Sequence, residues 1–210
     1  MDAQTLILIG GGGHCKSVID VAESAGWHIL GILDTAENTG KKVLGYEIIG
    51  TDDLIPGLIH KGLFLVTVGQ IKNAGLRIKL HDLILSAGGT MATLLASDAC
   101  VSKHASVGQG SVVMHKAVVN AGAKIGMGCI INTFANIEHD AVIGDFCHIS
   151  TGAMINGDCS VGCETFVGSG VVVANGVTIT DHCIISAGAV VRKNISTSGI
   201  YAGNPAIKYK

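Results

Sequence analysis

Aromatic side chains are scarce in this chain, at 4% of 210 residues. A core of packed rings is therefore excluded, and the interior must be thin and aliphatic. Lysines and arginines form no run, and the formal net charge is −2, which argues against nucleic acid as a partner. No apolar stretch approaches the roughly 20 residues of a membrane-spanning helix. The first ten residues lack the basic start and length of a secretion signal. The expected location is the cytoplasm, with no membrane partner. Cys-x-x-Cys pairs are also missing from the seven cysteines, so no structural zinc site is expected. No two of the nine histidines stand five residues apart, as the zinc ligands of a β-helical carbonic anhydrase would. No metal is expected on either count.

What the chain does have is a repeat. Every sixth residue from Val101 through Val113, Ile125, Ile137, Ile149, Val161, Val173 and Ile185 to Val191 is Val or Ile, at all sixteen positions and without a break in phase. Four residues after each stands a small residue, such as Ala105, Ser111, Cys129, Ala141, Cys147, Cys159 or Ala189. A period of six is neither the 3.6 of a helix nor simple alternation. The branched residue suits a strand, and the small one, two positions before the next branched residue, shares its face. Glycine is frequent three positions after the branched residue, as at Gly110, Gly122, Gly128, Gly152, Gly170, Gly176 and Gly188, where it suits a tight corner. Each hexad therefore predicts a short strand and a corner, and successive hexads coil into a prism of parallel strands. The cysteines in the small slot, Cys129, Cys147, Cys159 and Cys183, are expected to be reduced core residues.

The first 96 residues follow another rule. Thr5 to Ile9 reads as a strand, followed by Gly10 to Gly13 and a helix over Ser17 to Ala25. His28 to Leu33 reads as a second strand ending at Asp34, and Leu63 to Val68 as a third. Thr51 to Asp53 reads as the start of a helix reaching His60, and Asn73 to Ala87 as another helix. A glycine turn between strand and helix can hold phosphate on backbone N–H groups, and an acid some 20 residues later can reach a ribose. Lys16 suits either a phosphate contact or an exposed helix surface. The unit, residues 1–96, is a small Rossmann-like α/β domain, too short for a dehydrogenase. The prism domain covers residues 97–210.

The unbroken hexads resemble those of the hexapeptide-repeat acyltransferases, which implies a left-handed parallel β-helix with 18 residues per coil. The segments IGGGGHCK (Ile9 to Lys16) and NTFANIEHDAVIGDFCHIS (Asn132 to Ser150) resemble one group within them. That group comprises the sialic acid O-acetyltransferases and the bacillosamine-type nucleotide-sugar N-acetyltransferases. The resemblance implies an enzyme that moves acetyl from acetyl-CoA to a UDP-4-amino-sugar type of acceptor for surface glycan synthesis, working as a homotrimer. O-acetylation of a sialic acid or related nonulosonate is the alternative. It further implies that Gly12, Gly13, His14, Asp34 and Gly69 line the sugar-nucleotide pocket, and that His139 is the general base with Asp140 orienting it. Asn132, His148, Gly157, Ser169 and Ala187 are implied to meet acetyl-CoA. The tail from Tyr201 to Ala206 resembles the loop that closes over CoA in this family. Direct transfer is expected, since no cysteine sits in a catalytic motif. Spacing adds one inference. His139 and His148 are half an 18-residue coil apart, so a corner and the opposite face carry them. If both act on one acyl group, the site lies between subunits.

Overall fold

The computed structural model describes residues 4–209. In the N-terminal domain the strands are β1 (Thr5–Ile9), β2 (His28–Leu33), β3 (Lys42–Val43), β4 (Tyr46–Gly50) and β5 (Leu63–Val66). They form one sheet in the order β3-β4-β2-β1-β5, parallel except at the β3 edge. The helices are α1 (Gly13–Ser24), α2 (Ile55–Leu58) and α3 (Gly75–Ser86). β1 is apolar throughout because both of its faces are covered. The β3–β4 hairpin was not foreseen from sequence. It turns at Leu44 and Gly45, both at positive φ, and its leucine disguises a turn type that usually advertises itself as Asn-Gly. The helix expected from Leu54 to His60 is a single turn preceded by a 3-10 turn at Asp52–Leu54.

From Leu94 onward the chain winds a triangular prism. The first face holds Leu94–Leu95, Val112–Val113, Ile130–Ile131, His148–Ile149, Phe166–Val167 and Cys183–Ile185. The second holds Val118–Val119, Asn136–Ile137, Met154–Ile155 and their stacked equivalents; the third holds Lys124–Ile125, Val142–Ile143 and Ser160–Val161 with theirs. Each strand pairs in parallel with the one 18 residues on, as Val142–Ile143 does with Ser160–Val161. The first prism strand begins at Leu94, just inside the unit predicted to end at residue 96. Fourteen of the sixteen hexad positions are buried; Val101 and Val107, at the open end, are half-buried.

The small inward slot has a second function that explains its cysteines. Ser111 Oγ donates to Gly126 O at 2.8 Å, Cys129 Sγ to Gly144 O at 3.1 Å, and Cys147 Sγ to Gly162 O at 3.0 Å. Each side chain thus satisfies a corner carbonyl 15 residues ahead, which would otherwise be buried without a donor. All four slot cysteines are free and buried, as expected.

The N-terminal domain sits on the first face of its own prism. Outward residues Val112 and Ile130 join Leu6, Leu8, Val18 and Ile19 in one apolar cluster. Polar groups fasten the seam: Gln70 Nε2 donates to Phe146 O at 2.9 Å, and the Arg77 guanidinium donates to Val68 O and Gly128 O. No helix among the described residues is long and apolar enough to cross a membrane.

Candidate active site

His139 stands at the corner between the second and third faces. Asp140 follows at φ +61°, a left-handed turn that folds its carboxylate back onto the ring. The His139 Nδ1–H donates to Asp140 Oδ2 at 2.9 Å. Because a carboxylate only accepts, this bond fixes the proton on Nδ1 and leaves Nε2 bare. That hydrogen bond, with the charges of Asp140, Asp158 and Glu138, pushes the His139 pKa above the usual imidazole value. Glu138 is held elsewhere: Asn136 and Asn120 donate to its two oxygens, each at 2.9 Å. Asp140 is therefore the residue that orients the ring. His139, Asp140 and Asp158 also offer donor atoms within 4.8 Å of one another, but all three are exposed and Nδ1 is already engaged.

Gly157 lies one coil above His139. A Cβ added there would stand 2.6 Å from His139 Nε2 and 2.7 Å from Cε1. The backbone at 157 is not in the left-handed region, so the requirement for glycine comes from the imidazole. An alanine would be accommodated by swinging the ring, which is the far end of a flexible side chain. Gly157→Ala is expected to lower kcat by roughly 10- to 100-fold, because a shift of about 1 Å at a catalytic group has that effect. The melting temperature should hardly change. Steady-state kinetics and a thermal melt on the same sample check both.

The other residues implied to meet acetyl-CoA gather at a different edge. Asn132, Ser169 and Ala187 lie along the corner between the first and second faces, and His148 lies on the adjoining first face. Ser150 Oγ and Ser169 Oγ are 3.0 Å apart. His148 points outward, as predicted, but the N-terminal domain covers it. Its Nδ1 meets Gln70 O at 2.7 Å and its Nε2 meets Asn132 Nδ2 at 3.2 Å. Burial, reinforced by the positive charge of Arg77, lowers its pKa to about 4, although the Gln70 bond works in the opposite direction. Within one chain, then, His139 with Gly157 occupies one edge and the remaining four residues another. The tail runs Gly199–Ala202 along the first face and returns antiparallel through Ile207–Lys208.

Gly12, Gly13, His14, Asp34 and Gly69 do come together. With Asp52, Asp53, Thr67 and Leu76 they line a cleft of about 480 Å³ at the carboxyl ends of the parallel strands, where open α/β sheets bind ligands. Burial alone would raise the Asp34 pKa. Hydrogen bonds from Thr35 N–H at 2.6 Å, from Gly11 N–H and from Asn38 Nδ2 at 3.1 Å outweigh it and hold the carboxyl below its usual range. Gly11 N–H is thus taken by Asp34, which leaves the N–H groups at the start of α1 for a phosphate. His14 Nε2 is buried without a partner. Burial, with Arg77 and His148 nearby, lowers its pKa to about 3, so the ring stays neutral. Lys16 is exposed on α1 and does not line the cleft. Thr51, Asp52 and Asp53 line the cleft as well, though sequence suggested only a helix start. The signal was available: they follow β4 as Asp34 follows β2, but β4 itself went unseen.

Comparison with known proteins agrees with this architecture. Residues 5–81 match the PglD N-terminal domain model, and residues 122–157 and 158–193 match the bacterial transferase hexapeptide model of six repeats. The acetyltransferase domain of PglB from Neisseria gonorrhoeae is 34% identical over 98% of this chain and 99% of that one, with a TM-score of 0.90. The same domain has been solved in complex with acetyl coenzyme A. PerB of Caulobacter crescentus, solved with CoA and GDP-perosamine, is 34% identical over 97% of this chain and 96% of that one, with a TM-score of 0.89. No curated protein sequence matches. The chain belongs to the hexapeptide-repeat acetyltransferases that carry a PglD-type N-terminal domain.

Proposed function

We propose that this enzyme transfers acetyl from acetyl-CoA to the amine of a nucleotide-linked sugar of the UDP-4-amino-sugar type, in the cytoplasm and for surface glycan synthesis. The observation that carries the reading is the pairing of a glycine-loop cleft with an exposed His139 whose Nε2 is left bare by Asp140. The nucleotide would lie along Gly12, Gly13, His14, Asp34 and Gly69. As the amine lone pair attacks the thioester carbon, His139 Nε2 takes the proton. The C–S bond then breaks, and the imidazolium returns the proton to the departing CoA sulfur. Asp140 keeps the ring oriented and stabilises its charged form. The relatives support this reading: one is named a perosamine N-acetyltransferase, which favours an amine acceptor over the hydroxyl of a sialic-acid-like sugar.

The working form would be a homotrimer. The His139 edge and the edge bearing Asn132, Ser169 and Ala187 bound the same second face of the prism. Joining the first edge of one copy to the second edge of another gives a head-to-tail contact, and such contacts close into rings. Exposed Phe134 and Met154 on and beside that face supply apolar surface for the contact. CoA release should be scored with UDP- and GDP-linked 4-amino sugars and with free sialic acid. Turnover is expected with an amino-sugar nucleotide and not with sialic acid; the reverse outcome would sink the proposal.

A further inference from the structure

Both nitrogens of His148 are engaged, and the two contacts together dictate which one carries the proton. Nδ1 faces the backbone carbonyl of Gln70 at 2.7 Å. A carbonyl can only accept, so Nδ1 holds the hydrogen. Nε2 faces Asn132 Nδ2 at 3.2 Å. The orientation of that carboxamide is fixed separately, since Asn132 Oδ1 accepts the Thr133 N–H at 2.7 Å. The amide nitrogen must then point at the ring, and Nε2 must accept. Two independent constraints thus give one tautomer. The ring plane is held by Phe166, edge-on with centroids 5.2 Å apart. The charged and titratable groups facing this ring are Arg77 on α3 and His14 on α1. The first is a buried cation and the second a neutral imidazole, so neither favours a second proton.

We infer that His148 is a positioning residue that works as a hydrogen-bond acceptor: the Gln70 carbonyl locks its tautomer, and its bare Nε2 turns the Asn132 carboxamide so that the remaining amide N–H is left for the acyl carbonyl. This rests on the acetyl-transfer reading above for the role of Asn132. It makes the acyl edge of the prism dependent on the loop after β5, because Gln70 follows Gly69 of the nucleotide cleft and is anchored to the prism through Phe146 O. The donor of a hydrogen bond to the thioester is then Asn132. A histidine in this tautomer has no hydrogen on Nε2 to give.

The test is a long-range proton–nitrogen correlation spectrum of the full-length protein labelled with 15N-histidine, with His148→Gln used to assign the signal. The expected spectrum shows Nδ1 protonated and Nε2 bare from pH 5 to 8. A proton on Nε2 at pH 7, in either the neutral or the charged ring, overturns the inference. Asn132→Asp places a carboxylate against the lone pair. It should convert His148 to the charged form in the same spectrum and lower kcat on the order of 100-fold, as loss of one preorganised donor does. The KM for acetyl-CoA should stay within about threefold. Unchanged kcat in Asn132→Asp would also overturn it. If that variant does not fold, the wild-type spectrum still decides. The spectrum is read without any acceptor, so failure to find a sugar substrate would count against the proposed activity and leave the tautomer result standing.

Discussion

His139→Gln should lower kcat for acetyl transfer by roughly 10²- to 10⁴-fold, the range that a positioned general base supplies. Glutamine keeps a polar group of similar reach but cannot take a proton near neutral pH. The melting temperature should stay within about 1 °C, since His139 is exposed and surface substitutions change stability little. Its pKa is raised chiefly by the Asp140 hydrogen bond, so the active, unprotonated form accumulates only as pH climbs past that raised value. The acid limb of kcat/KM should therefore fall with decreasing pH, from a midpoint above the ordinary imidazole value. Asp140→Asn removes the charge that favours the protonated ring. The midpoint should then move to lower pH while the plateau rate drops, because the ring loses the partner that orients it. A midpoint unmoved in Asp140→Asn would show that another group titrates. The pH profile of kcat/KM for each variant, taken with saturating acetyl-CoA, reads both effects.

The prism was legible because its rule is local and repeated. A branched residue every sixth position can bury itself only by coiling, and Val113 to Val191 do so with at most 4% exposure each. His139 and Asp140 were legible through family resemblance, and the hydrogen bond between them settles the orienting role that sequence left open between Glu138 and Asp140. Three things were hidden. The Lys42–Gly50 hairpin uses Leu44 at positive φ, which no turn rule would select. Asp52 and Asp53 enter the nucleotide cleft only because β4 joins the sheet beside β2. The covering of His148 depends on where a separate domain lands. There was a trace of that in sequence: the outward residues of the first face begin Val112, Ile130, His148, Phe166, whereas those of the third read Ser106, Lys124, Val142, Ser160. An apolar outward column on one face of a prism marks what another domain covers.

Glycine placement provides the largest expected effect on stability, and it reverses the emphasis of the sequence pattern. The glycines at the corner apex, such as Gly152 and Gly170, do have positive φ, but Phe134, Asp140, Phe146, Asp158 and Glu164 occupy equivalent apex positions at φ between 54 and 61°. The left-handed apex therefore admits ordinary side chains, at about 1–2 kcal/mol each. A different column does not. Gly108, Gly126, Gly144 and Gly162 stack 18 residues apart where the third face turns toward the first. A Cβ at Gly108 would lie 2.6 Å from the backbone of Gly126, and one at Gly144 would lie 2.7 Å from Cys163 N. These contacts are with the backbone of the next coil, which is pinned by ladder bonds such as Gly144 N to Val161 O at 2.8 Å. Nothing there can swing aside. Gly144→Val should cost about 3 kcal/mol or more, at or beyond the upper end of the range for overpacking. At about 2–4 °C per kcal/mol for a chain of this size, the melting temperature should fall by roughly 6–12 °C. Gly152→Ala, where nothing lies within 4 Å of the added carbon, carries only the left-handed penalty and should fall by less than half as much. A thermal melt of both variants beside the parent protein measures the difference. Equal losses would mean that backbone conformation, and not the spacing between coils, selects glycine in this prism.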